Sequence, residues 1–211
     1  MIFKNFLKVT NNKKVKKDLQ GLLKNQPLCF ESLKPSYKYS YSKKIINKYK
    51  KFSNIRIIGM GGSILGTKAI CGFLKKKIKN KITFVDNLNS NADYFKDKNI
   101  NLNLIISKSG NTLETIANAH TLIKNRDSNL IITEDKDSYL TSLASKLKAE
   151  IFEHKNYIGG RYSVLSEVGM LPAELMNLNE YKFKQLNNLV KNKPFVNNLI
   201  NSVSAILNLI K

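Results

Sequence analysis

From residue 55 onward, short apolar runs alternate with segments whose apolar positions recur at helical spacing. The runs are IRIIG (55–59), ITFVD (82–86), LNLIIS (102–107), NLIITE (129–134) and EIFEH (150–154); the segments between them predict helices across 64–78, 90–97, 112–125 and 138–148. Continuous apolar strands separated by helices must be covered on both faces. The pattern predicts an open, doubly wound α/β domain: a five-stranded parallel sheet with helices on both faces and right-handed crossovers. Ahead of it, residues 13–24 have the spacing of a short amphipathic helix, and QPLCFESLKPSYKYSYS (26–42) reads as a loop with two prolines. Behind it, VNNLINSVSAILNLIK puts Val196, Leu199, Ile200, Val203, Ile206, Leu207 and Ile210 on one helical stripe that runs to the last residue without a stop signal. An apolar stripe with nothing after it to cover it suggests a cut chain.

In an open α/β sheet, ligands bind outside the carboxyl ends of the strands, near the point where strand order reverses. Two unusual loops, GMGGSILG (59–66) and SKSGNT (107–112), fall at such ends and should share one crevice. The first is not a dinucleotide fingerprint, although Asp86 stands where a ribose-binding acid would. G-x-G-x-x-G from Gly59 needs glycine at 64 and finds Ile64, and a P-loop from Gly61 meets Thr67-Lys68 in the reversed order. What remains is a turn at a helix N-terminus. It either brings Gly62 and Ser63 close to a ligand or is simply a tight turn.

SKSGNT is more informative. A phosphate monoester needs several short donors on a concave backbone, and a helix N-terminus adds free N–H groups and a positive dipole end. Ser107, Ser109 and Thr112 supply hydroxyls, Gly110 lets the chain bend, and Lys108 adds charge. The competing reading is ordinary helix capping by Asn111 or Thr112 with Glu114 behind. Three hydroxyls flanking a glycine suit phosphate better than a cap. A third stretch, GGRYSVLSEVGMLPAEL (159–175), holds one of only three arginines, beside 33 lysines. Where lysine is the default cation, an arginine preceded by two glycines suggests a need for a planar, permanently charged fork; a surface salt bridge is the alternative.

Charge changes the picture less than its size suggests. The net charge is +21, and residues 1–80 carry most of it: 19 lysines and Arg56 against Asp18 and Glu31 leave +18. No arginine forks or aromatic stacking platforms accompany these lysines, so they point to no sequence-specific nucleic-acid binding. KKKIKNK (75–81) reads as a solvated helix end. Nonspecific attraction to polyanions at low salt fits the charge. Cys29 and Cys71 match neither a metal motif nor a disulfide framework. With no long apolar run and no signal peptide in MIFKNFLKV, the expectation is a cytoplasmic, soluble protein with no membrane partner.

Taken together, IGMGGSILG, ISKSGNTLET and above all GGRYSVLSEVGMLP resemble the glucose-6-phosphate isomerase (phosphoglucose isomerase) family. The resemblance spans about residues 50–178, where the family has the first of two sugar-isomerase (SIS) domains, an αβα sandwich. It implies a helical lead-in over 1–49, the sugar-phosphate-binding SIS domain over 50–178, and a helical connection over 179–211 toward a second SIS domain. Carried across, the substrate-binding Gly-Ser pair falls on Gly62 and Ser63, and the phosphate loop on Ser107, Lys108, Ser109, Gly110, Asn111 and Thr112. The catalytic arginine, which stabilises an anionic intermediate, falls on Arg161, with Glu114 and Gly160 in supporting places. Gly110-Asn111 departs from the family's commoner aromatic-Thr or Thr-Thr pair, which puts one hydroxyl contact in doubt and gives Asn111 no essential role.

The implied reaction interconverts glucose 6-phosphate and fructose 6-phosphate through a cis-enediolate, with no metal or organic cofactor. Family members are usually homodimers. Their base is a glutamate of the second domain, and their ring-opening histidine and a further lysine also lie downstream. His120 and His154 occupy neither place, so the resemblance implies half a site and a chain inactive alone. Two other readings stay open: a stand-alone SIS sugar-phosphate sensor and a basic nucleic-acid-binding protein. The GGRYSVLSEVGMLP stretch favours the isomerase, because a sensor has no use for an enediolate-stabilising arginine.

Overall fold

The computed structural model describes residues 12–88 and 99–210. The helix expected over 90–97 lies outside them. Five parallel strands, β1 (Asn54–Gly59), β2 (Lys81–Val85), β3 (Leu102–Ile106), β4 (Ser128–Thr133) and β5 (Glu150–Glu153), form one sheet in the order β2-β1-β3-β4-β5. Each lies within a residue or so of its predicted span.

Alternation along these strands sends side chains into two separate cores. Ile55, Ile57, Leu104, Ile106, Leu130 and Ile132 pack on one face with α2 (Lys43–Tyr49), α3 (Gly62–Phe73) and α6 (Glu167–Leu175). Ile58, Ile105 and Ile131 pack on the other with α4 (Leu113–Leu122) and α5 (Tyr139–Leu147). Helices thus cover both faces, as the unbroken apolar strands require. Caps set several helix starts: the Ser138 hydroxyl accepts from the Thr141 N–H while the Thr141 hydroxyl accepts from the Ser138 N–H, and Ser166 caps α6. The helix read over 64–78 ends at Phe73, and Lys75–Lys77 form a 3-10 turn instead.

The strand read as wholly apolar at 55–59 contains a buried arginine. Arg56 shares its face with Asn103 and Asn129, its register neighbours across β3 and β4. Its Nη1 donates to Asn103 Oδ1 at 3.1 Å and to the Leu122 carbonyl at 3.0 Å, and lies 3.8 Å from Asp127 Oδ2. The guanidinium therefore sits against the C-terminal end of α4, where a cation is favoured.

Residues 26–42, read as a loop, include a 3-10 helix over Leu28–Leu33. The following segment is tied to α6 by two buried carboxylates. Glu167 accepts from the Tyr37 hydroxyl at 2.8 Å and the Ser40 N–H at 2.9 Å; Glu174 accepts from the Tyr41 hydroxyl at 2.8 Å and pairs with Lys43. These bonds stabilise the neutral phenols, so burial and the adjacent carboxylates push the Tyr37 and Tyr41 pKa values well above the ordinary tyrosine value.

The last helix, α7 (Lys193–Leu209), carries the expected apolar stripe, and α1 (Lys13–Asn25) meets part of it. Val15, Leu19 and Leu22 line a groove with Leu199, Ile200, Val203 and Leu207. Part of the stripe thus finds its partner earlier in the chain, in α1, on one side of this groove. No helix among the described residues is long and apolar enough to cross a membrane.

Candidate functional site

The chain runs from β1 outward to β2, then crosses back to β3 on the other side of β1. The sheet therefore reverses between β1 and β3, whose following loops open a crevice at their carboxyl ends. A cleft of about 340 Å³ lies there. Its lining includes Gly62, Ser63, Lys108, Ser109, Thr112 and Gly160, together with Met60, Glu134 and Lys136. The three stretches singled out in the sequence meet at one place, joined there by a fourth at the end of β4.

Backbone contact builds the wall between the first and third stretches. A Cβ on Gly62 would lie 2.5 Å from the carbonyl carbon and oxygen of Gly160, so the first loop has no room for a side chain there, whereas a Cβ on Gly160 would come no nearer than 3.4 Å to Gly62. The buried Ser163 hydroxyl donates between the two loops, 2.8 Å from the Gly160 carbonyl and 3.2 Å from that of Gly62. Gly62 opens α3, so the contact also fixes where that helix begins.

The second stretch curls through Gly110, whose φ of +70° favours glycine, and the Gly110 N–H donates to the Ser107 carbonyl at 3.1 Å. Ser107 is buried; its hydroxyl lies 2.8 Å from that of Thr112 and 3.5 Å from that of Ser109. Thr112 occupies the N-cap position of α4, yet its side chain makes no capping bond. The capping alternative is therefore not realised, and the helix end keeps N–H donors for an anion. Asn111 faces elsewhere: its Oδ1 accepts the Tyr139 N–H at 2.8 Å, tying the loop to α5.

Lys108 donates to the Asn156 carbonyl at 2.6 Å and lies 3.5 Å from Glu134; Lys136 also pairs with Glu134. The Lys136 hydrogen bond, with smaller help from Lys108, holds the Glu134 carboxyl below the usual carboxylate range. Glu134 and Lys136 were missed in the sequence. They follow β4 in TEDKDS, whose only signal was a charged cluster at a strand carboxyl end.

The remaining predicted residues stand outside the lining. Ser107 is bonded beneath it, and Gly110 shapes the turn. Glu114 is half-buried in the first turn of α4. Arg161 is exposed beside Gly160, in a 3-10 helix over Gly160–Leu165. Among the described residues Arg161 makes no ion pair, so the surface salt bridge considered for it is not formed. Among the same residues, no three His, Cys, Asp or Glu side chains group as a metal ion would need.

His154, just beyond β5, is 1% exposed. One ring nitrogen lies 3.2 Å from the Lys155 carbonyl; the other has no partner among the described residues. Burial, aided by the Lys108 charge, pushes its pKa below the ordinary histidine value, while hydrogen bonds to backbone and the nearby Glu134 oppose the shift. The folded chain thus favours the neutral ring. The stability this represents is present above about pH 6.5 and is lost as pH falls through the lowered value. The expected result is a urea midpoint that drops between pH 7 and pH 5, with a smaller drop in His154→Gln.

Comparison with known proteins places these features in context. A model of the phosphoglucose isomerase family matches residues 40–205. The glucose-6-phosphate isomerase of Methanocaldococcus jannaschii is 34% identical over 178 residues, covering 75% of this chain and 44% of that protein. The chain thus spans less than half the length of this curated relative. Among solved structures, a hypothetical protein from Thermus thermophilus superposes with a TM-score of 0.69 at 20% identity, covering 94% of this chain and 52% of that one. The tagatose-6-phosphate ketose/aldose isomerase of Escherichia coli superposes with a TM-score of 0.52 at 14% identity, covering 82% and 46%. These two likenesses establish the fold.

Proposed function

The chain belongs to the phosphoglucose isomerase family, and from that premise we propose that residues 50–178 form a SIS domain binding a hexose 6-phosphate for aldose–ketose isomerisation. The observation that carries the reading is the convergence of Gly62, Ser63, Lys108, Ser109 and Thr112 on one cleft at the N-terminus of α4. Hydroxyls, an ammonium and helix N–H groups form the donor set a phosphate monoester requires. Ser107 holds Thr112 in place from below, and Asn111, committed to α5, takes no part.

The reaction proposed is interconversion of glucose 6-phosphate and fructose 6-phosphate in the cytoplasm. A base moves the proton from C2 to C1, and negative charge builds on an oxygen of the cis-enediolate. The Arg161 guanidinium, exposed beside the cleft-lining Gly160, stabilises that charge; a fixed donor in such a role contributes about 3 kcal/mol. No carboxylate of this chain corresponds to the family's base, and Glu114, in the first turn of α4, supports the loop rather than reaching the sugar. In our reading this chain supplies the phosphate-holding half of a site completed by a second SIS domain, within a homodimer.

Calorimetry tests the binding step directly. The 211-residue chain should bind fructose 6-phosphate measurably and fructose hardly at all, and Ser107→Ala with Thr112→Ala should erase the difference. Equal binding of both sugars by the unaltered chain would refute the assignment.

A further inference from the structure

The cleft contains an ion cluster that the phosphate loop alone does not require. Glu134 stands between two ammonium groups: Lys136, with which it pairs closely, and Lys108, 3.5 Å away. The Lys136 side chain is 49% exposed and that of Glu134 is 15% exposed. All three line the same cleft as Ser63, Ser109 and Thr112. The end of β4 is also bound to the phosphate loop by its backbone. The Glu134 N–H donates to the Lys108 carbonyl at 3.1 Å, and the Thr133 hydroxyl approaches the same carbonyl at 3.4 Å. The carboxylate therefore cannot drift from the loop as an ordinary surface acid would.

We propose that Lys136 is a second phosphate-binding cation of this cleft, and that Glu134 is an internal competitor which a bound phosphate must displace from both lysines. The inference rests on the sugar-phosphate reading above and adds a specificity device to it. With Glu134 in place, the cluster of two lysines and one carboxylate carries a single net positive charge, and only a ligand of higher charge density gains enough to take the ammonium groups from it. A phosphate dianion meets that condition better than a sugar carboxylate. The hydroxyls and helix N–H groups fix the phosphate position, while Glu134 raises the threshold for weaker anions.

Calorimetric titrations of the full chain with 6-phosphogluconate, gluconate and inorganic phosphate, each at low and high salt, test this. Lys136→Met should weaken 6-phosphogluconate binding about fivefold, the scale of one partly exposed ion pair, and flatten its salt dependence. Lys136→Arg should restore most of both. Glu134→Gln should strengthen 6-phosphogluconate, inorganic phosphate and gluconate alike by a similar factor, bringing the weaker anions up to measurable binding. The inference fails alone if the unaltered chain prefers 6-phosphogluconate to gluconate while Lys136→Met binds it as well as before. It also fails alone if Glu134→Gln weakens every ligand, since Glu134 would then be a contact and not a competitor. An unaltered chain with no preference for 6-phosphogluconate overturns the phosphate reading and this inference with it.

Discussion

Arg161→Lys is expected to lower kcat by roughly a hundredfold or more, with a much smaller rise in KM, once residues 1–211 are joined to a second SIS domain of the family. The 211-residue chain alone should show no isomerase activity above background. Both outcomes follow from one division of labour. In the proposed site the hydroxyl loop and the lysines contact a phosphate that the reaction leaves unchanged, so they would bind substrate and transition state alike. Arg161 is proposed to act only where enediolate charge appears. Lysine keeps the charge but not the planar fork, so a large kcat loss identifies geometry as the arginine's contribution. A coupled assay following fructose 6-phosphate formation gives both constants. An intact kcat would remove Arg161 from the chemistry, and turnover by the unaltered chain on its own would remove the need for a second domain.

The second large effect lies at the opposite end of the sheet. Asp127→Ala should cost roughly 3–5 kcal/mol, because it removes one partner of a buried ion pair and takes the acceptor from three buried or half-buried donors. The Asp127 side chain is closed to solvent, and its oxygens also accept from the Asn101 and Lys124 N–H groups and from Asn103 Nδ2. Arg56→Met should cost less, since Asp127 keeps those three donors. The double substitution should cost less than the two single losses combined, as expected of partners in one network. Urea titrations with an unchanged slope and a shifted midpoint would measure this. A shift of less than about 1 kcal/mol for Asp127→Ala, the size of an exposed pair, would mean that the pair is not isolated from water as its burial implies.

The sheet was legible because each strand is an apolar run bounded by turn residues, a signal contained within a few positions. The two ligand loops were legible for a related reason: glycines and hydroxyls cluster where an apolar strand stops. The Arg56 network was not. Arg56, Asn103 and Asn129 each look like an isolated polar residue in an apolar strand, and only the strand register aligns them. The role of Glu134 was hidden because TEDKDS has the composition of any solvated turn. Its meaning depends on Lys108, which β-pairing rather than sequence proximity brings near. The contact of α1 with α7 was invisible for the same reason, since apolar stripes announce that they need a partner but not which one. Arg161 is a different case. Its proposed role comes from family resemblance, and the fold by itself shows an exposed arginine beside a glycine.

Helix α4 has one end in the hydroxyl loop and its last carbonyl, that of Leu122, in the grip of Arg56. Ten residues of helix make a rod about 15 Å long, so the two ends cannot shift independently by much. In genetic terms, the trait and the lesion need not be neighbours. A random screen for loss of the proposed phosphate binding would recover alleles at Arg56, Asn103 and Asp127 alongside those in the hydroxyl loop, and their distance from the cleft would be no sign of a second site.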